Sequence, residues 1–297
     1  NYEVASQLWF DQYLKGEFEF PKTPQLEVNL KTDSGTPQAW LGVDRAATAL
    51  GVEFYYTQHG QVDGEKHDMD NTKHRFWHYA AAKKHDGNWI ADLPVASVDK
   101  PLWVFANVIY PLEKPVGYAG YYYRIGESKE FTLSSLMSMH SAEDLKAAGV
   151  KAAFKPSLTI ESFKGEWEKE WFSYRPEEWG MQTNKLYSEI WSAPEGASLA
   201  LDVKSAEANK LVITIDEFGV EVDLTGGSDW QTIVLLPENF ENAIGEKLES
   251  WDGVRNLSLT AEKTLRTRVG KENKQKKFGA AWKGDAPVFR ELRWVQK

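Results

Sequence analysis

The sequence contains no cysteine among its 297 residues. Without cysteine there is no disulfide framework and no thiol chemistry, although the cellular compartment stays open. No apolar run approaches the roughly 18 residues that a membrane-spanning helix needs. Basic residues are outnumbered, with 35 Lys and Arg against 44 Asp and Glu and a net charge of −9. Because phosphate binding needs a concentrated basic surface, we expect neither a nucleic acid nor a membrane as a partner.

Aromatic residues are abundant instead. The chain has 13 Trp, 12 Tyr and 14 Phe, although tryptophan is ordinarily the rarest of the three. Tryptophan and tyrosine combine an apolar ring with a polar group, which suits β-sandwich cores and also sugar rings stacked on them. The length suffices for two domains with cores of their own. Because the chain begins at Asn1 without a methionine or a signal peptide, we expect that a segment upstream was removed.

The first half of the chain predicts one helix followed by short strands. Helical spacing over Tyr2–Leu14 ends at Gly16, a residue type that often closes a helix. The apolar residues at that spacing are Ala5, Leu8, Trp9 and Tyr13. The β runs that follow are separated by turn residues and are Val52–Tyr56, Arg75–Ala82, Trp89–Leu93, Leu102–Tyr110 and Tyr118–Arg124. Strands at this spacing without intervening helices predict an immunoglobulin-like β-sandwich over residues 21–135.

A short helix is predicted to bridge the two halves. Ser141 and Asp144 form a capping-box-like start and Gly149 a stop, so we expect a helix at Ala142–Ala148 within a linker of residues 136–156. The second half, residues 157–297, returns to β patterns and to a polar loop at Lys271–Lys277, which together predict a jelly roll. Its predicted strands are Leu158–Phe163, Ser198–Val203, Lys210–Asp216, Val220–Leu224, Gln231–Leu236, Asn256–Thr260 and Phe289–Val295. The fold class is therefore all-β.

Two stretches resemble known families. WFDQYLKG at Trp9–Gly16 resembles the last helix of α/β-hydrolases of the dienelactone-hydrolase and acetyl-xylan-esterase kind. That resemblance implies that residues 1–20 are the terminal helix of a hydrolase domain lying upstream, which would carry the nucleophile, acid and histidine. It also implies a secreted or periplasmic, carbohydrate-active parent protein.

The second resemblance runs from Leu158 to Val295. This region resembles carbohydrate-binding modules of the galactose-binding-like jelly-roll type, and its likeness concerns fold markers more than ligand. The markers are IESFKGEWEKEW (Ile160–Trp171), ASLALDV (Ala197–Val203), NKLVITID (Asn209–Asp216), DWQTIVLLPENF (Asp229–Phe240) and FRELRWV (Phe289–Val295). The resemblance implies polysaccharide as a partner.

No complete catalytic or metal centre follows from the motifs. Ser198 lies in a Gly-x-Ser-like context but begins an alternating strand, whereas a hydrolase nucleophile precedes a helix. His74 and His78 lie four residues apart, and if the segment His74–Ala82 is extended as a strand they are about 13 Å apart, too far for one ion. The Asp-rich segment Asp63–Asp70 offers oxygen ligands for calcium, with a solvated turn as the alternative. We predict no other cofactor.

The candidate ligand-binding residues are aromatic and basic. We expect stacking on sugar rings from Trp167, Trp171, Tyr174, Trp179 and Trp191, with Trp251 and Trp282 as a second set. Packing in the core is the alternative for each of them. The segment Leu265–Lys283 is strongly basic, and Arg266 and Arg268 in it could bind carboxylate or sulfate groups, although a solvated hairpin loop is the simpler interpretation.

These patterns predict a non-catalytic accessory region that binds polysaccharide through the C-terminal jelly roll. One alternative is a purely structural pair of sandwiches that supports the upstream hydrolase. Another is a glycan-cleaving enzyme, since glycosidases use two carboxylates and Glu166, Glu168, Glu170, Glu177 and Glu178 lie among the tryptophans.

Overall fold

The computed structural model describes residues 2–60, 75–120, 124–173 and 178–296. These residues form two compact units, the first of residues 2–60, 77–120 and 124–154 and the second of residues 75–76, 155–173 and 178–296. Most of the regular structure is antiparallel β-sheet, which confirms the prediction of an all-β fold. None of the helices in these ranges is both long and apolar enough to cross a membrane.

The first unit is a β-sandwich with a helix at each end of its chain segment. The helices are α1 (Tyr2–Phe10), continued by a π-helical turn (Asp11–Lys15), and α2 (Ala142–Ala147). The strands are β1 (Gln25–Asn29), β2 (Gln38–Gly42), β3 (Gly51–Thr57), β4 (His78–Ala81), β5 (Lys83–His85), β6 (Asn88–Asp92), β7 (Leu102–Gly120), β8 (Arg124–Ser134) and β9 (Ser138–His140).

The strand order of the first unit is that of an immunoglobulin-like domain. One sheet has the order β1-β2-β6-β5 and the other β4-β3-β7-β8, with β9 also paired to β7. Lettered along the chain, these are the A-B-E-D and C-F-G sheets of that fold, with β4 as an additional strand beside C. Alternating residues of both sheets, such as Leu41 and Phe54, are fully buried in one shared core.

Helix α1 is part of this core. Val4 and Leu8, one helical turn apart, are 0% and 1% exposed and pack among the strand residues of the first unit. Gly16 ends the π-helical turn in a left-handed conformation, as its position predicted. The expected apolar face was partly wrong, because Trp9 and Tyr13 are 50% and 62% exposed. Residues 1–20 were assigned to a missing hydrolase, and in the structure this helix packs on the first sandwich.

Strand β7 is longer than the pattern predicted. Leu102–Tyr110 and Tyr118–Arg124 were expected as separate strands, but β7 continues through Pro111 and Pro115 to Gly120. The pairing of β7 with β8 shifts register between Pro111 and Val116. Proline lacks the N–H that a ladder requires and is tolerated at such irregularities. The prolines therefore interrupt the hydrogen-bond ladder without ending the strand.

Two further predictions concern the start of β4 and helix α2. Strand β4 begins at His78 and not at Arg75, because it pairs with β3, in which Tyr56 lies opposite His78 and Thr57 is the last residue.

Helix α2 has the expected capping box of Ser141 and Asp144. Its Leu145 is fully buried in the core of the first unit, so the predicted linker helix packs on that sandwich.

The second unit consists of ten strands and four short 3₁₀ helices. The strands are β10 (Thr159–Glu161), β11 (Met181–Thr183), β12 (Ser198–Lys204), β13 (Asn209–Ile215), β14 (Phe218–Leu224), β15 (Gln231–Leu235), β16 (Leu257–Thr260), β17 (Glu262–Val269), β18 (Glu272–Gly279) and β19 (Val288–Val295). The 3₁₀ helices are Trp167–Glu170, Lys185–Tyr187, Glu189–Trp191 and Pro237–Asn239.

The topology of the second unit is a jelly roll. Its sheets have the orders β10-β19-β12-β15 and β11-β16-β13-β14. With the β17–β18 hairpin set aside and the remaining strands counted along the chain, these are the orders 1-8-3-6 and 2-7-4-5 of two interlocked Greek keys. Leu199 and Leu201 of one sheet and Ile213 of the other share a single core.

The β17–β18 hairpin is an insertion between the seventh and eighth strands of the jelly roll. Residues 271–277 were predicted as a polar loop, but residues 272–279 form a strand. The hairpin packs on the second sheet through Leu265 and Phe278, which bury Val212 of β13. This contact gives the polar strand a support that its own sequence does not reveal.

Candidate functional site

Aromatic side chains gather where two connections of the jelly roll meet. The loop between β10 and β11, the segment between β18 and β19 and the start of β19 supply six rings, which we call the loop cluster: Phe163, Trp167, Trp171, Trp179, Trp282 and Phe289. The ring centroids of Trp179 and Trp282 are 4.7 Å apart, and those of Phe163 and Phe289 are 5.3 Å apart. Phe163 contacts Trp167 edge-on at 5.0 Å. The cluster is one continuous group of rings.

The backbone that carries Trp167 is tightly restrained. Phe163 has a φ of 55°, a left-handed conformation that costs an ordinary residue about 1–2 kcal/mol. The carboxylate of Glu161 accepts hydrogen bonds from the backbone N–H groups of Ser162 and Phe163, at 2.8 and 3.1 Å. A 3₁₀ turn beginning at Trp167 follows. The strained turn is held by a side chain at the end of β10.

A buried ion cluster lies beneath this loop. The Nζ of Lys185 is 2.6 Å from Oε2 of Glu161 and 2.7 Å from Oε2 of Glu170. The Lys185 and Glu161 side chains are 6% and 5% exposed, and the indole N–H of Trp171 donates to the same Glu161 oxygen at 3.1 Å. The ammonium also lies 5.0 Å from the ring centroid of Trp191. One lysine thus pairs with the carboxylates at both ends of the segment 161–170, which carries Trp167.

Trp282 is fixed by its own segment. Its indole N–H donates to the carbonyl of Asp285 at 2.8 Å. The side-chain amide of Asn209 accepts from the N–H of Lys283 at 2.9 Å and donates to the Lys283 carbonyl at 3.0 Å. These reciprocal hydrogen bonds anchor the segment to the start of β13.

The structure separates the predicted ligand-binding residues into three places. Trp167, Trp171, Trp179 and Trp282 lie in the loop cluster. Trp191 and Trp251 lie in a different group, in which Trp251 packs against Trp294, and Trp294 donates its N–H to the carbonyl of Trp191. Arg266 and Arg268 lie on the β17–β18 hairpin, and Tyr174 lies outside the described residues.

Burial divides the tryptophans further. Trp171 and Trp251 are 6% and 8% exposed, and Trp251 donates its N–H to the Ala197 carbonyl at 2.8 Å. Both are core residues whose rings and N–H groups are occupied. Trp167, Trp179 and Trp282 are each partly exposed at the surface.

The exposed rings have the chemistry of a sugar platform. Within the described part of the chain, the indole N–H groups of Trp167 and Trp179 have no hydrogen-bond acceptor. An indole presents an apolar face for the C–H groups of a sugar and an N–H for a hydroxyl. The arrangement therefore suits stacking with a small number of directional hydrogen bonds.

The structure also shows the surroundings of the carboxylates and the serine that were considered as catalytic residues. Glu170 pairs with Lys185, whereas Glu166, Glu168 and Glu178 are exposed. Glu177 lies outside the described residues. Ser198 begins strand β12, as its sequence context predicted, and it is 5% exposed.

Metal candidates lie largely beyond the described ranges. Asp63–Asp70 and His74 fall outside them. His78 is described and stacks between the rings of Tyr56 and Phe154, at 5.0 and 5.1 Å. The described residues contain no group of three or more His, Asp or Glu side chains that could hold a metal ion.

Sequence reasoning missed the residues that organise the cluster. Glu161 and Lys185 are 24 positions apart and come together only through the fold. Trp230 was also missed, and the guanidinium of Arg290 lies 4.6 Å from its ring centroid. Arg290 in turn donates to the buried Asp202 at 2.8 Å. The one sequence signal that could have suggested a surface role for Trp230 is its position directly before the predicted strand Gln231–Leu236.

Comparison with known proteins adds no relative. No family model matches the chain, and no curated protein or solved structure matches it either. The resemblances to α/β-hydrolases and to galactose-binding-like modules therefore stay predictions.

Proposed function

We propose that this chain is a non-catalytic accessory region of an extracytoplasmic carbohydrate-active esterase, and that its jelly roll binds polysaccharide through the loop cluster. The observation that carries the proposal is the set of partly exposed rings of Trp167, Trp179 and Trp282, with the backbone around Trp167 and Trp282 held by hydrogen bonds. The immunoglobulin-like unit would serve as a spacer or support.

Restraint of the loop is what makes the rings useful. A binding loop that orders only on contact loses conformational entropy, which reduces affinity. Here the Lys185 ion cluster and the Asn209 amide hold both halves of the cluster before any ligand arrives. Preorganised aromatic faces suit a ligand that offers little more than C–H groups and hydroxyls.

Affinity electrophoresis against a panel of neutral and acidic plant and algal polysaccharides tests the proposal. We expect retardation by at least one polymer, and loss of it when Trp167, Trp179 or Trp282 is changed to alanine. Trp40→Ala is the matched control, because Trp40 is a partly exposed tryptophan on β2 of the first unit. Near-ultraviolet circular dichroism of each variant checks that the second unit stays folded.

Two outcomes would contradict the proposal. Retardation by none of the polymers would favour the purely structural role. Release of acetate or reducing ends by the isolated chain would show that it carries an active site of its own.

A second candidate function, docking onto an upstream hydrolase domain, is favoured by helix α1. While Val4 and Leu8 are buried in the first unit, Trp9, Phe10 and Leu14 are 50%, 47% and 73% exposed. Trp9 also contacts Tyr13 at 4.9 Å, so the exposed rings form one apolar patch. Contiguous exposed apolar surface often marks a site of protein association.

The sequence encoded upstream of Asn1 decides this candidate. A serine elbow and a histidine loop there would support it, and their absence would contradict it. If they are present, the separately expressed hydrolase domain should bind this chain and should bind the Trp9→Gln, Tyr13→Gln, Leu14→Gln variant at least tenfold more weakly, a loss of about 1.4 kcal/mol.

A further inference from the structure

The β17–β18 hairpin presents one face inward and one outward. Leu265 and Phe278 are 4% and 3% exposed and pack on Val212. The hydroxyl of Thr267 accepts a hydrogen bond from the backbone N–H of Ala243 at 3.2 Å. The inward face is thus fixed to the jelly roll, and the outward face is held on a rigid support.

The outward face is polar and basic. Antiparallel pairing places Arg266 opposite Gln275, Arg268 opposite Asn273 and Thr264 opposite Lys277. Side chains that are directly opposite lie about 5 Å apart, and neighbours along a strand or on the diagonal lie about 7 Å apart. Three cationic side chains and two amides therefore form one compact surface.

The cations of the hairpin differ in how they are neutralised. On the inward side, Lys276 pairs with Glu241 at 2.6 Å and Lys274 with Glu272 at 2.7 Å. On the outward side, Lys277 is 60% exposed and pairs with Glu262 at 2.8 Å. These lysines already have acidic partners.

The two arginines of the outward face do not. Arg268 donates from Nε to the carbonyl of Gly270 in its own turn, at 3.2 Å. Within the described residues, neither Arg266 nor Arg268 forms a salt bridge with an acidic side chain. Both guanidinium groups are exposed in a chain whose net charge is −9.

We propose that this outward face binds the sulfate or carboxylate groups of an anionic polysaccharide. The inference rests on the proposed function, because it assumes that the polymer is a glycan, and it names the chemical class. Guanidinium groups bind carboxylate and sulfate through paired N–H donors. The amides of Gln275 and Asn273 can donate to and accept from the hydroxyls between them.

The composition of the face argues against single-stranded nucleic acid and against lipid. Its residues carry no aromatic ring on which a base could stack, as surfaces for single-stranded nucleic acid usually do. They also carry no large apolar side chain that could enter a bilayer. A hydrated, hydroxyl-rich anionic chain is the ligand that matches cations interleaved with amides.

Dextran and dextran sulfate provide the test, because they share one backbone and differ in charge, and polygalacturonate adds a polymer with carboxylates alone. We expect the full chain to bind dextran sulfate or polygalacturonate and to bind dextran at least tenfold more weakly. The Arg266→Gln, Arg268→Gln, Lys277→Gln variant should lose about tenfold or more of that association at physiological ionic strength.

A matched variant controls for overall charge. Lys31, Lys114 and Lys129 are exposed lysines of the first unit, and changing all three to glutamine removes the same charge. That variant should lose less than about twofold, since distant exposed charges are screened. Equal losses in both variants, or no loss in the hairpin variant, would overturn the inference. Tighter binding of duplex DNA than of dextran sulfate at equal salt would also overturn it.

The experiment separates this inference from the proposed function. Retention by a neutral polymer that depends on Trp167 and Trp179, with no binding of either anionic polymer, would leave the loop cluster supported and refute the hairpin site. Binding of an anionic polymer that depends on Arg266 and Arg268 but not on the tryptophans would support the hairpin site and refute the loop cluster as a binding site.

Discussion

The two sandwiches bury different kinds of polar group. In the described residues of the first unit no lysine, arginine, aspartate or glutamate side chain is buried, and its buried polar residues are Thr57, His78 and Ser135. The second unit buries Glu161 and Lys185 as an ion pair and Asp202 beside Arg290. Similar architectures are therefore stabilised in different ways.

The difference shows where the second unit buries charged side chains at a cost in free energy. Moving charges out of water costs several kcal/mol per ion before their attraction is counted. Glu161 and Lys185 lie beneath the loop cluster. Asp202 is paired with Arg290, whose guanidinium lies over the ring of Trp230. Charge burial coincides with surface aromatics in the unit to which we assign ligand binding.

The largest effect should come from breaking the buried ion cluster. Lys185→Met leaves the carboxylates of Glu161 and Glu170 without their common cation, and it should destabilise the second unit by about 3–5 kcal/mol. Urea denaturation followed by tryptophan fluorescence measures this loss. Lys15→Met, which removes an exposed pair with Asp11, should cost less than about 1 kcal/mol. Equal midpoints for both variants would show that burial of the pair is energetically irrelevant.

The next effect belongs to the first unit. Leu8→Ala removes a side chain that is 1% exposed and should lower the free energy of unfolding by about 2–5 kcal/mol. Leu14→Ala, at a position 73% exposed, should change it by less than about 0.5 kcal/mol. If Leu8→Ala is as mild as Leu14→Ala in chemical denaturation, helix α1 is not an integral part of this sandwich.

A neutral network should matter less than the ion cluster. The side chain of Gln58 accepts from the N–H groups of Ala96 and Ser97 and donates to the Ser97 carbonyl at 2.6 Å. Gln58→Ala should destabilise the first unit by about 1–3 kcal/mol, because these backbone groups lose their partner. Hydrogen exchange at Ala96 and Ser97 should accelerate in the variant. Unchanged exchange would contradict the role given to this side chain.

The smallest effect is a pH dependence of the hairpin contact. The hydrogen bond from Lys276 holds the pKa of Glu241 below its ordinary value of 4.5. A carboxylate with a lowered pKa in the folded state stabilises it fully above the unfolded pKa, and that contribution disappears as the pH falls through the folded value. The denaturation midpoint should therefore drop less between pH 6 and pH 3 in Glu241→Gln than in the unmodified chain. Identical slopes would refute the prediction.

Asp202 adds to the same acid sensitivity. Burial opposes its ionisation, but hydrogen bonds from Arg290 and Thr232 outweigh burial and keep the pKa of Asp202 below its usual range. Its contribution has the same sign as that of Glu241, so part of the pH dependence should remain in Glu241→Gln. The first unit lacks buried carboxylates among its described residues and should respond less.

Much of the fold could be predicted because its signals are local. The alternation of Leu199, Leu201 and Val203 marks β12, and Ser141 with Asp144 marks the start of α2. The β18 strand could not be predicted in this way, because its residues are almost all polar and it is stabilised by a distant contact with Val212. The continuation of β7 past Pro111 has the same origin, since the partner strand β8 maintains it.

The candidate site was less predictable. Trp167 begins a 3₁₀ turn and Trp171 directly follows it, yet one ring is partly exposed and the other is buried. No local pattern distinguishes them, because their burial depends on strands that lie far along the chain. The pairing of Glu161 with Lys185 is equally non-local, and the buried Trp171 donates its N–H to the same carboxylate.

The base of the β17–β18 hairpin has a consequence for engineering. Gly279 lies so close to Ala261 that a methyl group on it would meet the Ala261 carbonyl, and it has a φ of 78°. The two ends of the insertion therefore nearly touch, and the eight strands of the jelly roll close without it. The hairpin can therefore be changed without altering the strand order of the jelly roll. Its length and outward residues can be redesigned as long as Val212 stays covered.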